Sequence, residues 1–171
     1  MRTLSVRQPW ASLICFGVKD VEKTALGHRL CQQYDHVVCL VDMDRLLAHP
    51  AEMGTYKHLK SKSDSCVLWV ETNPCTEFWF LLHFLPSLAI RHYANQDQAI
   101  AELRKYMPGY EKTQRYLAKA NIYCYLRDNG DLSRAMSNAE QLCRLCNDNK
   151  DDLMAYSEVY KVLKLLEEIS K

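Results

Sequence analysis

Two uninterrupted apolar runs constrain this 171-residue chain more than any other feature of it. Residues 36–41 read HVVCLV and residues 66–71 read CVLWVE. Each is rich in β-branched and aromatic side chains, each is only about six residues long, and each is bounded by polar or turn-forming residues, so both read as strands. Neither alternates apolar with polar, which implies cover on both faces, as in a parallel sheet. The connector of about 25 residues contains a helical pattern over residues 51–61. Strand, helix, strand at that spacing is a right-handed crossover unit. Asn73-Pro74 stops the second strand, because the residue before proline is driven out of regular pairing geometry.

The flanking sequence reads mostly as helix. Pro9 suits a first helical turn and Gly17 a helix stop, so a short extended piece followed by a helix is expected at the start. After Pro74, CTEFWFLLHFL is apolar nearly all round and implies a buried helix. Residues 97–107 follow with Asp97 as N-cap and end at Pro108-Gly109. One helix is expected from Glu111 to Asn129-Gly130, and another after Asp131 as its cap. The last begins near Leu153, with Tyr156, Val159, Tyr160, Leu163, Leu166 and Ile169 at helical spacing. The expected class is therefore α/β, a short parallel sheet followed by a helical C-terminal half. Two strands are too few for a stable sheet. Either the N-terminal segment or IYCYL, residues 122–126, supplies more, or the front of the domain is incomplete.

Charge and cysteines narrow the environment. The formal net charge is +1, so no global field favours nucleic acid or a membrane, and any such contact must be local. No run approaches the ~20 apolar residues of a membrane span, and no signal-peptide core follows Met1-Arg2-Thr3. The eight cysteines are scattered through apolar stretches. They read as reduced, mostly buried thiols of a cytoplasmic protein. Cys143 and Cys146 have metal-ligand spacing but no second pair, and both fall on the apolar stripe of their helix, which is core packing.

The carboxylates at the strand ends carry the chemistry. Asp42 and Asp44 lie at or just past the end of the first strand, and Glu71 lies at the same end of the second. Ligands of open parallel sheets bind at those ends. Side chains two apart on an extended segment point the same way, so Asp42 and Asp44 can share one ion. Oxygen-only ligation favours Mg²⁺ or Mn²⁺. An exposed Asp-rich turn is the competing reading, and spacing does not decide between them. Glu77 sits in a first helical turn, where either capping or metal duty suits an anion. His83 lies in the same apolar helix, either as a hydrogen-bonded structural histidine or as a catalytic one. Lys112, Arg115 and Lys119 recur at helical spacing with Tyr110, Tyr116 and Tyr123 between them. That pattern fits a basic stripe tracking phosphates with tyrosines to stack, or an ordinary solvated face.

Four blocks resemble a known family. YDHVVCLVDMD, ETNPCTEFWFLLHF, PGYEKTQRY with NIY, and AMSNAEQL look like the RloB-like proteins of bacteria, over about residues 25–171. The family more often has Phe where this chain has Thr76. The resemblance implies a Toprim-like α/β domain, encoded beside restriction and abortive-infection genes. It implies a partnership with an SMC- or AAA-type ATPase in phage defence, with the RloB-like protein as the nuclease. In Toprim folds a DxD pair binds Mg²⁺, and Asp42 and Asp44 match it. The family's upstream glutamate, in a CEGxxTE-like strand end, has no counterpart here. Glu22 lies only 20 residues before Asp42, nearer than that glutamate usually sits, so the role is not carried to it.

The N-terminus resembles something else. QPWASLI, with Gly17, Lys19 and Glu22 in a G-x-K-x-x-E pattern, looks like the start of an ASCH domain. That family consists of small barrels suspected of binding RNA or modified bases. The match stops near residue 24, far short of a barrel. The expected organisation is an ASCH-like stub over residues 1–24 joined to an RloB-like body over residues 25–171. The expected function is a Mg²⁺-dependent nuclease subunit acting on DNA or RNA, with Asp42, Asp44 and Glu77 in the catalytic set. A non-catalytic interaction subunit and an ASCH-derived RNA-binding protein are the alternatives.

Overall fold

The uninterrupted apolar runs do form strands. The structure, a computed structural model, describes residues 4–7, 12–17, 32, 34–63, 65–86, 88, 90–149 and 153–170. They divide into two compact units, residues 1–71 with 161–171, and residues 72–160.

In the first unit, β1 (Leu4–Arg7) pairs antiparallel with β2 (Ser12–Gly17), and β2 pairs parallel with β3 (His36–Asp42). Next to β3 lies β4 (Val67–Asn73). The Val37 N–H donates to the Cys66 carbonyl at 2.9 Å, which sets the starts of β3 and β4 side by side, as in a parallel pair. Val37, Val38, Cys39 and Val41 are all fully buried, so β3 is covered on both faces, as continuous apolar character requires. The helix expected between Pro9 and Gly17 is instead β2. Proline and glycine signals are local, and the segment SLICFG gains two flanking ladders by being a strand, with Leu13 opposite His36 and Gly17 opposite Leu40. The N-terminal segment thus supplies the missing strands.

Two helices connect β3 to β4. α1 (Met43–Ala48) starts directly at Asp42, and α2 (Pro50–Lys62) starts at a proline, whose fixed φ suits a first helical position. Tyr56 of α2 packs edge-on against Trp69 of β4, with ring centroids 5.4 Å apart, and the Trp69 indole N–H donates to Ser63 Oγ at 2.8 Å.

The second unit is helical around the end of β4. Residues 72 and 73 of β4 pair antiparallel with β5 (Tyr156–Ser157). Part of the expected last helix is therefore strand, and the helix itself, α8 (Val159–Ile169), begins three residues after Tyr156. Between them lie α3 (Glu77–Leu82), α4 (Gln96–Leu103), α5 (Gln114–Lys119), α6 (Ile122–Asn129) and α7 (Leu132–Asn149). α3 is buried nearly all round, with Phe78, Leu81 and Leu82 fully enclosed. The N-cap of α4 is Asn95 rather than Asp97: Asn95 has the extended backbone a cap needs and accepts from the amides of Asp97 and Gln98. The single helix expected over residues 111–129 is two, because Asn121 leaves helical geometry and caps α6 through the Cys124 amide at 3.1 Å. IYCYL is thus helical. Asp131 does cap α7, accepting from the Arg134 amide at 2.9 Å.

α7 packs through Ala135, Ala139 and Leu142, all fully buried, and Cys143 donates to the Ser157 carbonyl. Asn138, equally buried, accepts from the Leu88 amide and donates to the Pro86 carbonyl, which ties down the loop after α3. Cys39, Cys75, Cys124, Cys143 and Cys146 are outside any disulfide. Cys66, expected reduced, is disulfide-bonded.

Candidate functional site

Asp42 closes β3 and serves as N-cap residue of α1, without a side-chain capping bond. Asp44 lies in the first turn of α1 and accepts from the Arg45 amide at 2.7 Å. Strand end and helix start coincide here, with Asp42 the last strand residue and Met43 the first of the helix. Both carboxylates are half-buried. Asp44 is on the helix, not on the extended segment, so the same-way pointing expected of residues two apart on a strand does not hold for this pair. What remains is two all-oxygen donors close in sequence where strand turns to helix.

Glu71, expected at the same strand end, is engaged by α2. It accepts from Tyr56 Oη at 2.5 Å and pairs with Lys60 Nζ. Trp69 and Glu71, two apart on β4, both meet Tyr56, so α2 covers that face of the strand. Among the described residues, no group of three or more His, Cys, Asp and Glu side chains is arranged to hold a metal ion.

Glu77 lies in the second unit and is 4% exposed. One carboxylate oxygen accepts from Tyr110 Oη at 2.8 Å and the other from Lys112 Nζ at 3.0 Å. Lys112 Nζ also donates to Gln96 Oε1 at 2.8 Å. Burial pushes the Glu77 carboxyl upward, but the Lys112 charge and hydrogen bonds from Lys112, Cys75 and Tyr110 together bring it below the usual range. Burial, then the Glu77 charge, raise the Tyr110 phenol well above its ordinary value. So Glu77 is an ionised carboxylate held by a phenol and an ammonium. Tyr110 and Lys112 reach it from a turn built on Gly109, whose φ of +81° is costly for any residue with a Cβ. Arg104 Nε holds the same turn by donating to the Tyr110 carbonyl at 2.9 Å. Chain spacing does not show this pairing: Glu77 and Lys112 are 35 apart, and only the unusual cost of a glutamate in an apolar helix signals a partner.

The basic stripe is correspondingly shorter than expected. Lys112 precedes Thr113, the N-cap of α5, so it is off the helix and engaged by Glu77 and Gln96. Arg115 and Lys119 are exposed and four apart on α5. Of the interleaved tyrosines, Tyr110 is buried and Tyr116 packs edge-on against it at 5.4 Å, whereas Tyr123 is 72% exposed.

His83 closes α3 and is buried. Its Nδ1 lies 3.0 Å from the Trp79 carbonyl, and its ring stands edge-on to Trp79 at 5.0 Å. Its own carbonyl accepts from the Asp131 amide and from Arg134. A Cβ at Gly130 would come within 2.7 Å of the His83 Cβ and of the Leu126 carbonyl, which explains the glycine there. Burial, the largest influence, holds the imidazole below its ordinary pKa. These contacts describe a hydrogen-bonded structural histidine. Of the ASCH-like residues, Gly17 ends β2, while Lys19 and Glu22 lie outside the described residues.

An α/β unit with carboxylates at a strand end, followed by a helical unit, is the class of protein that fold and site define. A family model described as RloB-like protein matches residues 18–166. The chain belongs to the RloB-like family. No curated protein and no solved structure matches it. Two of the blocks that carry the resemblance, NPCTE and PGYEK, meet at Glu77, Tyr110 and Lys112. Among the described residues, no helix is long and apolar enough to cross a membrane.

Proposed function

We propose that this chain is a Mg²⁺- or Mn²⁺-dependent phosphodiester-cleaving subunit of a bacterial antiphage system, acting on DNA or RNA beside an AAA- or SMC-type ATPase. Family membership supports the defence context. The observation that carries the chemistry is the position of Asp42, at the carboxyl end of a strand with a buried centre, and of Asp44, in the first turn of the helix that follows. In this reading Asp42 and Asp44 hold the cation. Bound there, the cation supplies Lewis acidity to a phosphodiester. The strand fixes where Asp42 stands, and the first turn of α1 where Asp44 stands. Glu77, expected in the catalytic set, has both oxygens engaged by Tyr110 and Lys112, and the role we assign it is to hold the turn that carries them.

Plasmid and RNA cleavage with Mg²⁺ or Mn²⁺, wild type against Asp42→Asn and Asp44→Asn, tests this. Cleavage is expected to disappear in both variants, and calorimetric Mg²⁺ binding with it. Equal cleavage by wild type and variants overturns it. One observation favours a second reading, a non-catalytic interaction subunit: Glu71 and Glu77, the glutamates expected to support the aspartates, are each paired with a lysine. Co-purification of the ATPase with no cleavage and no Mg²⁺ binding would select that reading.

A further inference from the structure

One stretch of the chain is net basic. Between residues 104 and 127 it carries Arg104, Lys105, Lys112, Arg115, Lys119 and Arg127 against a single carboxylate, Glu111. The whole chain is only +1, so the remainder is net acidic. The same stretch carries the most exposed large apolar side chain among the described residues, Tyr123, at 72%. An exposed aromatic ring in a basic segment presents a π-face with nothing apolar to cover it.

Geometry assigns that ring a use. The guanidinium of Arg127, one turn along α6, lies over one side of the Tyr123 ring at 6.0 Å from the centroid. With most of the residue exposed, the other side faces solvent. Arg127 also pairs with Asp128 at 2.8 Å, which blunts its charge and leaves phosphate contact chiefly to α5. There Arg115 and Lys119 are exposed and share one helical face. Lys119 and Tyr123 are four residues apart in sequence, so their Cα atoms lie within about 14 Å of each other.

We infer that Tyr123 is a base-stacking platform for single-stranded nucleic acid, with Arg115 and Lys119 contacting the phosphates beside it. A duplex hides its base faces, so the platform selects single strands. The inference rests on the proposal that this protein acts on nucleic acid, and it names the substrate form.

Binding in EDTA separates it from cleavage. Fluorescence anisotropy would compare labelled 20-nucleotide oligo-dT, oligo-rU and a 20-base-pair duplex. Wild type is expected to prefer the single strands, and the tighter of the two assigns DNA or RNA. Tyr123→Ala should weaken single-strand binding about 5- to 150-fold, whereas Tyr123→Phe keeps it, because stacking needs the ring and not the hydroxyl. Arg115→Ala with Lys119→Ala should reduce the slope of log affinity against log salt by about 1.4, two phosphates on a single strand. Duplex binding as tight as single-strand binding, or wild-type affinity in Tyr123→Ala, overturns the inference. If Tyr123-dependent binding is present and no variant or wild type cleaves with Mg²⁺, the platform stands and the nuclease reading falls. If cleavage depends on Asp42 while binding ignores Tyr123, the reverse holds.

Discussion

Glu71 and Glu77 are six residues apart and are answered by the same pair of side-chain types. Glu71 meets Tyr56 and Lys60, and Glu77 meets Tyr110 and Lys112. The partners of Glu71 are four apart on one regular helix, so a single element delivers both. The partners of Glu77 follow a turn that needs a left-handed glycine, and two further bonds hold them, from Arg104 and to Gln96. Burial differs as well: the Glu77 side chain is 5% exposed and that of Glu71 16%. The same chemistry is cheap to assemble on a helix and demanding to assemble from a turn. A carboxylate deep in an apolar helix has no alternative to its partners, whereas one at a sheet margin can turn to water.

The largest expected effect follows from that difference. Glu77→Ala takes the acceptor from a buried phenol and the counter-charge from a part-exposed ammonium and should cost about 2–4 kcal/mol, short of a fully buried pair because Lys112 is 34% exposed and keeps Gln96. Glu71→Ala should cost about 1–2 kcal/mol, chiefly the stranded Tyr56 hydroxyl. Urea unfolding of both variants checks the order, and equal losses would break the contrast between the two sites.

Two glycines then give opposite signs. Gly109→Ala forces a Cβ into φ +81° and should destabilise by about 1 kcal/mol, loosening the turn that carries Tyr110 and Lys112. Gly54 lies within α2 with nothing inside 4 Å of a built Cβ, so Gly54→Ala should stabilise by about 0.5–1 kcal/mol and firm the helix that carries Tyr56 and Lys60. Thermal melts of the two single variants read both signs directly.

The smallest effect is in pH. Glu77 titrates below its ordinary range in the folded protein, so its stabilisation is in place above about pH 4.3, the free glutamate value. It is lost as pH falls through the folded value. His83 is also depressed, but by burial of a group that is charged when protonated. Its contribution is in place above about pH 6.5 and declines as pH falls through its folded value. Stability should therefore fall in two windows on acidification, the histidine's first. Unfolding curves of His83→Gln and Glu77→Gln should each flatten one window, and a single window common to both would contradict the assignment.

How much of this could be read from the chain depends on the range of the interaction responsible. β3 and β4 were legible because Val37, Val38, Val41 and Val70 form runs that only a doubly covered strand can bury. Asp131 was legible as a cap because a cap bonds amides two or three residues away. β2 is not legible as a strand because Pro9 and Gly17 bracket it like a helix, while the ladders that make it a strand join it to residues 4–7 and 36–40. Tyr156 and Ser157 likewise follow a helical spacing that their pairing with Thr72 and Asn73 overrides. In the site, the strand-end placing of Asp42 and Asp44 was visible, but the commitments of Glu71 and Glu77 were not.

The sequence by itself determined an α/β chain with two enclosed strands, two aspartates where the first one ends, a helical second half and membership of the RloB-like family. The elements follow from short-range pattern, since period and capping are set by neighbours in the chain, whereas the family rests on the matching of whole sequence blocks. Only the tertiary structure decided which ionisable groups meet. Lys112 belongs to Glu77 rather than to a basic stripe, and Glu71 belongs to Tyr56 and Lys60, because an ion pair is selected by distance in space and by burial. Neither quantity is written in the spacing of the residues.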